Sequence, residues 1–343
     1  MPEAADIAWM RRALHLASHG PPADPNPRVG AVVVDAAGRL VGTGYHKGAG
    51  TPHAEIVALS EAGGRARDAT VYVTLEPCNH SGRTGPCSGA LVAAGVRRVV
   101  YGQADPNPNA AGGGLLLRAN GVDVGNAVLA EEAAALNQAW TFAVSHGRPR
   151  VVWKFAATLD GRSAATDGSS QWITGPAARA DVHARRAEAG AILVGTGTIL
   201  ADNPSLTVRD AAGALAGRQP LRVVMGQRSV PAGARVLDDA APTLLLSETD
   251  PSRVLQTLAE REVRQVWLEG GPTLAAAFLR AGLVDEVVAY LAPMLLGDGI
   301  AAVGPLAIPS IGSALRLDPI DVTTLGPDIR LRAALPANVW KGH

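Results

Sequence analysis

Pro52-His53-Ala54-Glu55 opens the stretch that decides the fold of the first half of this chain. It is followed by Thr70-Val71-Tyr72-Val73-Thr74-Leu75-Glu76-Pro77-Cys78, and then by Pro86-Cys87-Ser88-Gly89-Ala90-Leu91. The apolar run before Cys78 predicts a buried strand, and the run from Cys87 predicts the start of a helix. Since Cys78 directly follows the strand and Cys87 begins the next helix, we expect both thiols at the carboxyl edge of the sheet, which is where open α/β folds bind their ligands.

These residues have the chemistry of a catalytic metal site. One histidine and two cysteines are a zinc ligand set that leaves a fourth position open for water, and His53, Cys78 and Cys87 supply it. Glu55 is the candidate proton carrier, because H-x-E followed by P-C and a second cysteine is the signature of zinc-dependent base deaminases. His53 and Glu55 can share one site only near a helix start, where Pro52 places them.

Two other interpretations of the same residues stay open. Cys78 and Cys87 could form a disulfide, or the zinc could be structural with His46 or His80 as a fourth ligand. Eight residues separate the two cysteines, where the general deaminase pattern has two. The polar residues of this wide loop, 79–86, are suited to contacting a substrate larger than a free base.

Composition narrows the class of protein. A chain of 343 residues predicts two domains, and an apolar content of 47% with 4% aromatics predicts cores of Ala, Val and Leu. The balance of 31 basic and 31 acidic residues gives no reason to expect nucleic acid as a partner. No apolar run resembles a signal peptide or reaches 18 residues, so we expect a cytoplasmic protein without a membrane partner.

Periodicity predicts a three-layer α/β arrangement in the first half. The order is helix, β-hairpin and then βα units, with helices at 6–18, 52–59, 88–94 and 131–144 and strands at 29–34, 40–45, 70–75 and 98–101.

A second α/β domain is predicted beyond the junction at residues 147–150. Its helices are expected at 177–188 and 274–281, and its strands at 151–155, 191–194, 221–225, 243–246, 266–268 and 287–290. No G-x-G-x-x-G follows an early strand, which argues against a Rossmann domain. Gly270-Gly271 and Gly195-Thr196-Gly197-Thr198 each follow a strand, and two such loops favour a dinucleotide site.

The chain resembles the bifunctional riboflavin-biosynthesis enzymes, in which a pyrimidine deaminase is fused to a pyrimidine reductase. The first half matches at Pro25–Gly30, Gly44–His46, Pro52–Glu55, Thr74–Cys78, Gly82–Thr84, Pro86–Cys87 and Asp105–Pro108. The second half matches at Leu159–Arg162, Ser170–Thr174, Leu200–Pro204, Leu206–Arg209, Glu269–Leu274 and Gly282–Glu286. The family has the same eight-residue gap between its cysteines.

The resemblance implies a cytidine-deaminase-like domain at residues 1–146 and a dihydrofolate-reductase-like α/β domain at 147–343. It implies zinc deamination of 2,5-diamino-6-(5-phosphoribosylamino)pyrimidin-4-one, with about one zinc per chain. It further implies NADPH reduction of the ribosyl group of 5-amino-6-(5-phosphoribosylamino)uracil to the ribitylamino product. The resemblance thus implies small phosphoribosylaminopyrimidines as partners. It also suggests a homo-oligomer, because members of the family tend to form oligomers.

The resemblance also implies roles for individual residues. Zinc is expected at His53, Cys78 and Cys87, with Glu55 as proton donor. NADPH is expected near Ala156, Trp172, Thr198, Asp202, Gly271, Pro272, Thr273 and Leu274. The substrate of the reduction is expected near Ser170, Arg186, Leu206, Arg209 and Glu269, with the two arginines suited to its phosphate.

Some questions stay open at this point. Asp202 and Lys154 are both candidates for the acid of the reduction. Met225-Gly226 stands where the family has an Asp-Ser pair, so a cofactor contact is missing there unless Gln227 or Arg228 supplies it. Two alternative functions remain: a zinc nucleoside or nucleotide deaminase with an accessory nucleotide-binding domain, and a structural zinc module.

Overall fold

The computed structural model describes residues 3–80 and 85–336 of the chain. Contacts divide the chain into two compact units, Met1–Gly147 and Arg148–His343, each with apolar clusters of its own. Within the described residues, no helix is both long and apolar enough to cross a bilayer.

The first unit is a sheet packed between helices. Its α-helices among the described residues are α1 (Ala4–Ala17), α2 (Ala54–Ala62), α3 (Cys87–Ala93), α4 (Gly113–Ala119), α5 (Ala130–Leu136) and α6 (Gln138–His146). Its strands are β1 (Gly30–Val34), β2 (Leu40–Tyr45), β3 (Thr70–Leu75), β4 (Arg98–Gln103) and β5 (Asp123–Gly125), in the order β2-β1-β3-β4-β5. The pair β1–β2 is antiparallel, whereas β3, β4 and β5 are parallel.

Helix α2 lies unusually close to strand β2. A Cβ added at Gly42 would lie 2.2 Å from the carbonyl oxygen of Ala58, and one at Gly44 would lie 2.3 Å from that of Ala54. Only glycine permits such an approach of helix and strand backbones. The two glycines therefore determine where the first turn of α2, which carries Glu55, lies relative to the sheet.

The predicted elements of this unit form with small shifts. The predicted hairpin is present as β1–β2. Helix α2 begins at Ala54 rather than Pro52, and His53 is its extended N-cap residue, with φ −67° and ψ 157°. The single helix predicted at 131–144 was wrong, because α5 and α6 are separate helices divided at Asn137. The side chain of Asn137 bonds the backbone of Arg28 instead, a long-range contact that no local pattern indicates.

The second unit is built on a larger mixed sheet. Its strands are β6 (Arg150–Thr158), β7 (Arg162–Ala164), β8 (Ala191–Gly195), β9 (Leu221–Met225), β10 (Thr243–Leu246), β11 (Gln265–Leu268), β12 (Glu286–Ala292), β13 (Ile300–Ala301), β14 (Asp318–Leu325) and β15 (Asp328–Ala334). Its α-helices among the described residues are α7 (Pro176–Ala187), α8 (Thr196–Asp202), α9 (Pro251–Glu260) and α10 (Pro272–Arg280).

The sheet order places the expected sites at one edge. In the order β10-β9-β8-β11-β6-β12-β15-β14, the first six strands run parallel to one another, and β15 is antiparallel to both of its neighbours, β12 and β14. The carboxyl ends of β8, β9 and β11 therefore meet at the same edge. Strands β14 and β15 were not predicted from the sequence, because most of the β14 residues are exposed and supply no buried apolar run.

Candidate functional sites

Three side chains of the first unit converge at the carboxyl end of β3. Cys78 follows that strand, Cys87 is the first residue of α3, and His53 precedes α2. The imidazole Nδ1 of His53 lies 3.2 Å from the Sγ of Cys87 and 3.6 Å from the Sγ of Cys78. Among the described residues, these three are the group whose ligand atoms all lie within 4.8 Å of one another.

This arrangement fits a tetrahedral zinc ion. Nitrogen and sulfur ligands at about 2.0–2.3 Å from zinc are separated from each other by roughly 3.5–3.8 Å. The distances from His53 to the two thiols lie close to that range. A hydrogen bond from the thiol of Cys87 lowers the pKa of Cys78 below its usual range, which favours the thiolate form that a zinc ligand must have.

Glu55 lies beside this group and is 4% exposed. Burial raises the pKa of Glu55 to about 7, although the nearby His53 acts in the opposite direction. A carboxyl group that exchanges its proton near neutral pH is suited to general acid and base catalysis. The extended backbone of His53 turns its imidazole and the first-turn Glu55 towards one site, although the two residues are only two positions apart.

The alternatives for these cysteines were a disulfide and a structural zinc site with a fourth protein ligand. Both thiols are free, so no disulfide joins Cys78 to Cys87. The ring of His46 hydrogen-bonds Asn26 and the carbonyl oxygen of Pro52, and within the described chain neither His46 nor His80 joins the ligand group. A substrate contact is predicted for the loop at 79–86, of which residues 81–84 lie outside the described residues, so this contact stays a prediction.

The second unit has a buried ion pair at the carboxyl end of β11. The guanidinium of Arg186, in the last turn of α7, donates from Nε and Nη2 to the two carboxylate oxygens of Glu269, each over 2.6 Å. Its Nη1 donates to the carbonyl oxygen of Thr207 over 2.9 Å. Burial alone would raise the pKa of Glu269, but Arg186 and Lys154 outweigh it and hold that pKa at about 2.

Lys154 is the second cation near Glu269. It lies on β6, and its Nζ is 5.9 Å from the ring centroid of Tyr290. Burial lowers the pKa of Lys154, and the charge of Arg186 acts in the same direction while Glu269 opposes it. A lysine whose pKa is lowered gives up its proton more readily than an exposed lysine.

The two glycine loops meet at this edge of the sheet. Gly195 ends β8, and the Cδ2 atom of Leu274, on α10, lies 3.7 Å from where a Cβ of Gly195 would be. Thr198 and Asp202 belong to α8, which follows Gly195, and Gly271 is the N-cap of α10. The fold thus brings Gly195, the residue before α8, beside Leu274 of α10, although the two lie far apart in sequence.

Other predicted residues of this half are more dispersed. Ala156 is half-buried on β6, and Trp172 is 67% exposed, with the guanidinium of Arg179 4.5 Å from its ring centroid. Trp172 lines a cavity of about 320 Å³ together with residues 173–175, 179, 292–294 and 327–328.

The residues predicted near the substrate also differ in exposure. Leu206 is 3% exposed, and its side chain packs in an apolar cluster. Ser170 is half-buried, and Arg209 is exposed with Nη1 donating to the carbonyl oxygen of Gly213.

One contact to Glu269 was not predicted from the sequence. The indole Nε1 of Trp267 donates to its Oε1 over 2.6 Å. Residues two apart on a strand point to the same face, so the spacing of Trp267 and Glu269 was the signal that could have found this contact.

Comparison with known proteins supports both halves. Residues 3–103 match the family model of the cytidine and deoxycytidylate deaminase zinc-binding region, and residues 149–331 match that of the RibD C-terminal domain. The riboflavin biosynthesis protein RibD of Mycobacterium tuberculosis is 53% identical over 309 residues, which cover 90% of each chain. The RibD protein of Escherichia coli is 41% identical over 361 residues, covering 95% of this chain and 98% of its own.

Solved structures agree with these matches. Form 1 of Acinetobacter baumannii RibD has a TM-score of 0.88 at 40% identity, covering 96% of this chain and 98% of its own. A deaminase/reductase from Thermotoga maritima has a TM-score of 0.85 at 33% identity, covering 97% and 99%.

These findings confirm several predictions made from the sequence. The fold class is α/β, with a cytidine-deaminase-like domain followed by a dihydrofolate-reductase-like domain. The protein is an enzyme with hydrolase and oxidoreductase activities, its cofactors are zinc and NADPH, and the structural zinc module is excluded. The chain belongs to the RibD family of bifunctional riboflavin-biosynthesis deaminase/reductases.

Proposed function

We propose that the two activities divide between the halves of the chain. Residues 1–146 deaminate 2,5-diamino-6-(5-phosphoribosylamino)pyrimidin-4-one, and residues 147–343 reduce the product, 5-amino-6-(5-phosphoribosylamino)uracil, to its ribitylamino form. The observation that carries the proposal is the convergence of one imidazole and two thiols within 4.8 Å, beside a buried carboxyl group. The two steps belong together chemically, because the product of the first is the substrate of the second.

In the first half, His53, Cys78 and Cys87 hold the metal and Glu55 moves protons. When bound, zinc supplies a water whose pKa is lowered to about 7. Glu55 takes a proton from the attacking water and delivers it to the ring nitrogen, and then assists the departing ammonia. A pKa of about 7 allows Glu55 to take up and release these protons at neutral pH.

In the second half, Glu269 and the residues around it bind the phosphoribosyl group of the substrate. Arg186 and Trp267 hold the Glu269 carboxylate ionised and in place, so that it accepts hydrogen bonds from ribose hydroxyl groups. The exposed Arg209 binds the phosphate, since a guanidinium group donates paired hydrogen bonds to phosphate oxygens. Ser170 and the backbone at Leu206 complete this subsite.

The cofactor lies along the carboxyl edge of the same sheet. NADPH supplies the hydride when bound. Residues Ala156, Trp172, Thr198 and Asp202 contact it, together with the segment from Gly271 through Pro272 and Thr273 to Leu274. The close approach of Gly195 to Leu274 supports one continuous surface for a dinucleotide.

Lys154 is the acid of the reduction. The anomeric carbon of an open-chain imine accepts hydride, and the imine nitrogen needs one proton to become the amine. Lys154 lies beside Glu269, where the ribose binds, and its pKa is lowered by burial. Asp202, the other candidate, is exposed on α8.

The variant Glu55→Gln tests the division of labour. We expect it to retain about one zinc per chain and to lose ammonia release by 10²–10⁴-fold, because the proton carrier is removed while the ligands stay. Given the deaminated intermediate directly, the same variant should oxidise NADPH at the rate of the unchanged protein. Ammonia release that survives in Glu55→Gln, or a parallel loss of NADPH oxidation, contradicts the proposal.

A homo-oligomer and a cytoplasmic location remain predictions, and light scattering of the purified chain tests the first.

A further inference from the structure

Arg228, a cation at the cofactor edge, has no hydrogen-bond or ion-pair partner among the residues that the structure describes. Arg228 lies three residues after the end of β9, and its side chain is exposed. Its Nη2 atom would be 2.7 Å from a Cβ at Gly197, so the guanidinium lies directly against that glycine. Across residues 3–80 and 85–336, Arg228 makes no hydrogen bond or ion pair.

The backbone that leads to Arg228 depends on another glycine. Gly226 has φ +131°, and a Cβ there would lie 2.8 Å from the Oγ1 of Thr196. A serine at this position would be strained and would contact Thr196 rather than a ligand. The side chain of Met225 is 3% exposed and packs in the core. Neither residue can therefore contact a cofactor through its side chain, whereas Gln227 and Arg228 are both exposed.

The charges at this edge distinguish Arg228 from the other cations. Arg186 is paired with Glu269, and the charge of Glu269 also acts on Lys154. Arg228 is held beside Gly197, one residue from Thr198 in the cofactor segment, with its positive charge uncompensated. NADPH differs from NADH by one phosphate on the adenosine ribose, which adds nearly two negative charges. A guanidinium is the side chain best suited to bind such a group, because it donates paired hydrogen bonds and stays charged.

We propose that Arg228 binds the 2′-phosphate of NADPH and determines the preference of this enzyme for NADPH over NADH. The inference rests on the proposed cofactor site along 198–202 and 271–274. It assigns Arg228 the cofactor contact that Met225-Gly226 cannot make. Gly197 leaves room for Arg228 in this position, because any side chain at residue 197 would displace the guanidinium group.

The test compares Arg228→Gln with a matched control. Arg261→Gln removes an exposed arginine in the turn between α9 and β11, at the opposite edge of the sheet. Titration calorimetry on the full chain measures the binding of 2′,5′-ADP and of 5′-AMP, and steady-state assays on the deaminated intermediate give KM for NADPH and for NADH. A charge-assisted contact corresponds to a change of about 10- to 100-fold in affinity.

We expect Arg228→Gln to weaken 2′,5′-ADP binding and to raise KM for NADPH by that factor. The affinity of Arg228→Gln for 5′-AMP and its KM for NADH should stay within twofold of those of the unchanged protein. For Arg261→Gln, the affinities for both nucleotides and both KM values should stay within the same limit. Arg228→Lys should recover part of the loss, because a point charge replaces the guanidinium. Equal losses for both nucleotides, or unchanged binding of 2′,5′-ADP, would overturn the assignment. An unchanged chain that binds 2′,5′-ADP but oxidises no NADPH would instead contradict the proposed reductase function.

Discussion

Gly113→Ala is expected to weaken the metal site from a distance, because α4 touches the strand end that carries Cys78. A Cβ at Gly113 would lie 1.8 Å from the carbonyl oxygen of Pro77 and 2.9 Å from its carbonyl carbon. Carbon and carbonyl oxygen in contact are about 3.3–3.6 Å apart, so one backbone must move by roughly 1.5 Å. The Pro77–Cys78 segment cannot yield freely, since Ser88 donates to the carbonyl oxygen of Cys78 over 3.2 Å and Asn79 donates to that of Ala110 over 2.8 Å.

The magnitude follows from these contacts. Overpacking of this kind costs about 1–3 kcal/mol, and the gain from replacing glycine in a helix recovers at most about 1 kcal/mol. An overpacking cost of about 2 kcal/mol leaves a net loss of about 1–2 kcal/mol, so we expect the unfolding midpoint of the first unit to fall by roughly 2–8 °C. Substitutions that disturb the groups orienting a metal ligand typically cost about 10- to 100-fold in metal affinity, so zinc affinity should fall at least about tenfold.

Chelator competition for zinc and thermal unfolding measure these effects, and Gly89→Ala is the matched control. Gly89 lies in α3, two residues after Cys87. A Cβ there would meet only the Cγ of Pro86, at 3.6 Å, which is an ordinary contact. Gly89→Ala should therefore keep its zinc affinity and gain up to about 1 kcal/mol of helix stability. If Gly113→Ala matched this control in both zinc affinity and unfolding midpoint, the reasoning from the Pro77 contact would be refuted.

Two further predictions concern the second unit. Lys154→Met should slow NADPH oxidation by about 10²–10⁴-fold while ammonia release is unchanged, and a loss below threefold would exclude Lys154 as the acid. Glu269→Gln leaves Arg186 buried without its carboxylate, so the free energy of unfolding of this unit should fall by about 3–5 kcal/mol in urea titrations. The pKa of Glu269 is about 2 in the folded protein, below its unfolded value. Its stabilisation is therefore present above the unfolded pKa, about 4.3, and is lost as pH falls towards 2. Glu269→Gln should flatten that part of the acid-unfolding profile, and identical acid profiles for both proteins would contradict the role of the ion pair.

Local sequence determined the first site to a large extent. An apolar strand running into Cys78, a helix starting at Cys87 and a helix starting after His53 are short-range patterns, and parallel strand order brings their ends together. The structure places these three side chains within 4.8 Å of one another. Glu55 could be predicted because H-x-E belongs to the zinc deaminase signature, and its spacing from His53 in turn required a helix start, which the structure has at Ala54.

Tertiary structure alone decided the contacts that tune both sites. The pairing of Arg186 with Glu269 joins residues 83 positions apart, and no local periodicity encodes it. No local periodicity encodes the close approach of Gly113 to Pro77 or the position of Arg228 against Gly197 either. The antiparallel pair β14–β15 was missed because its stability comes from pairing with β12 rather than from burial along its own sequence. Residue type and short-range pattern determine which chemistry is available, whereas packing between distant segments determines which charges are paired and which remain for a ligand.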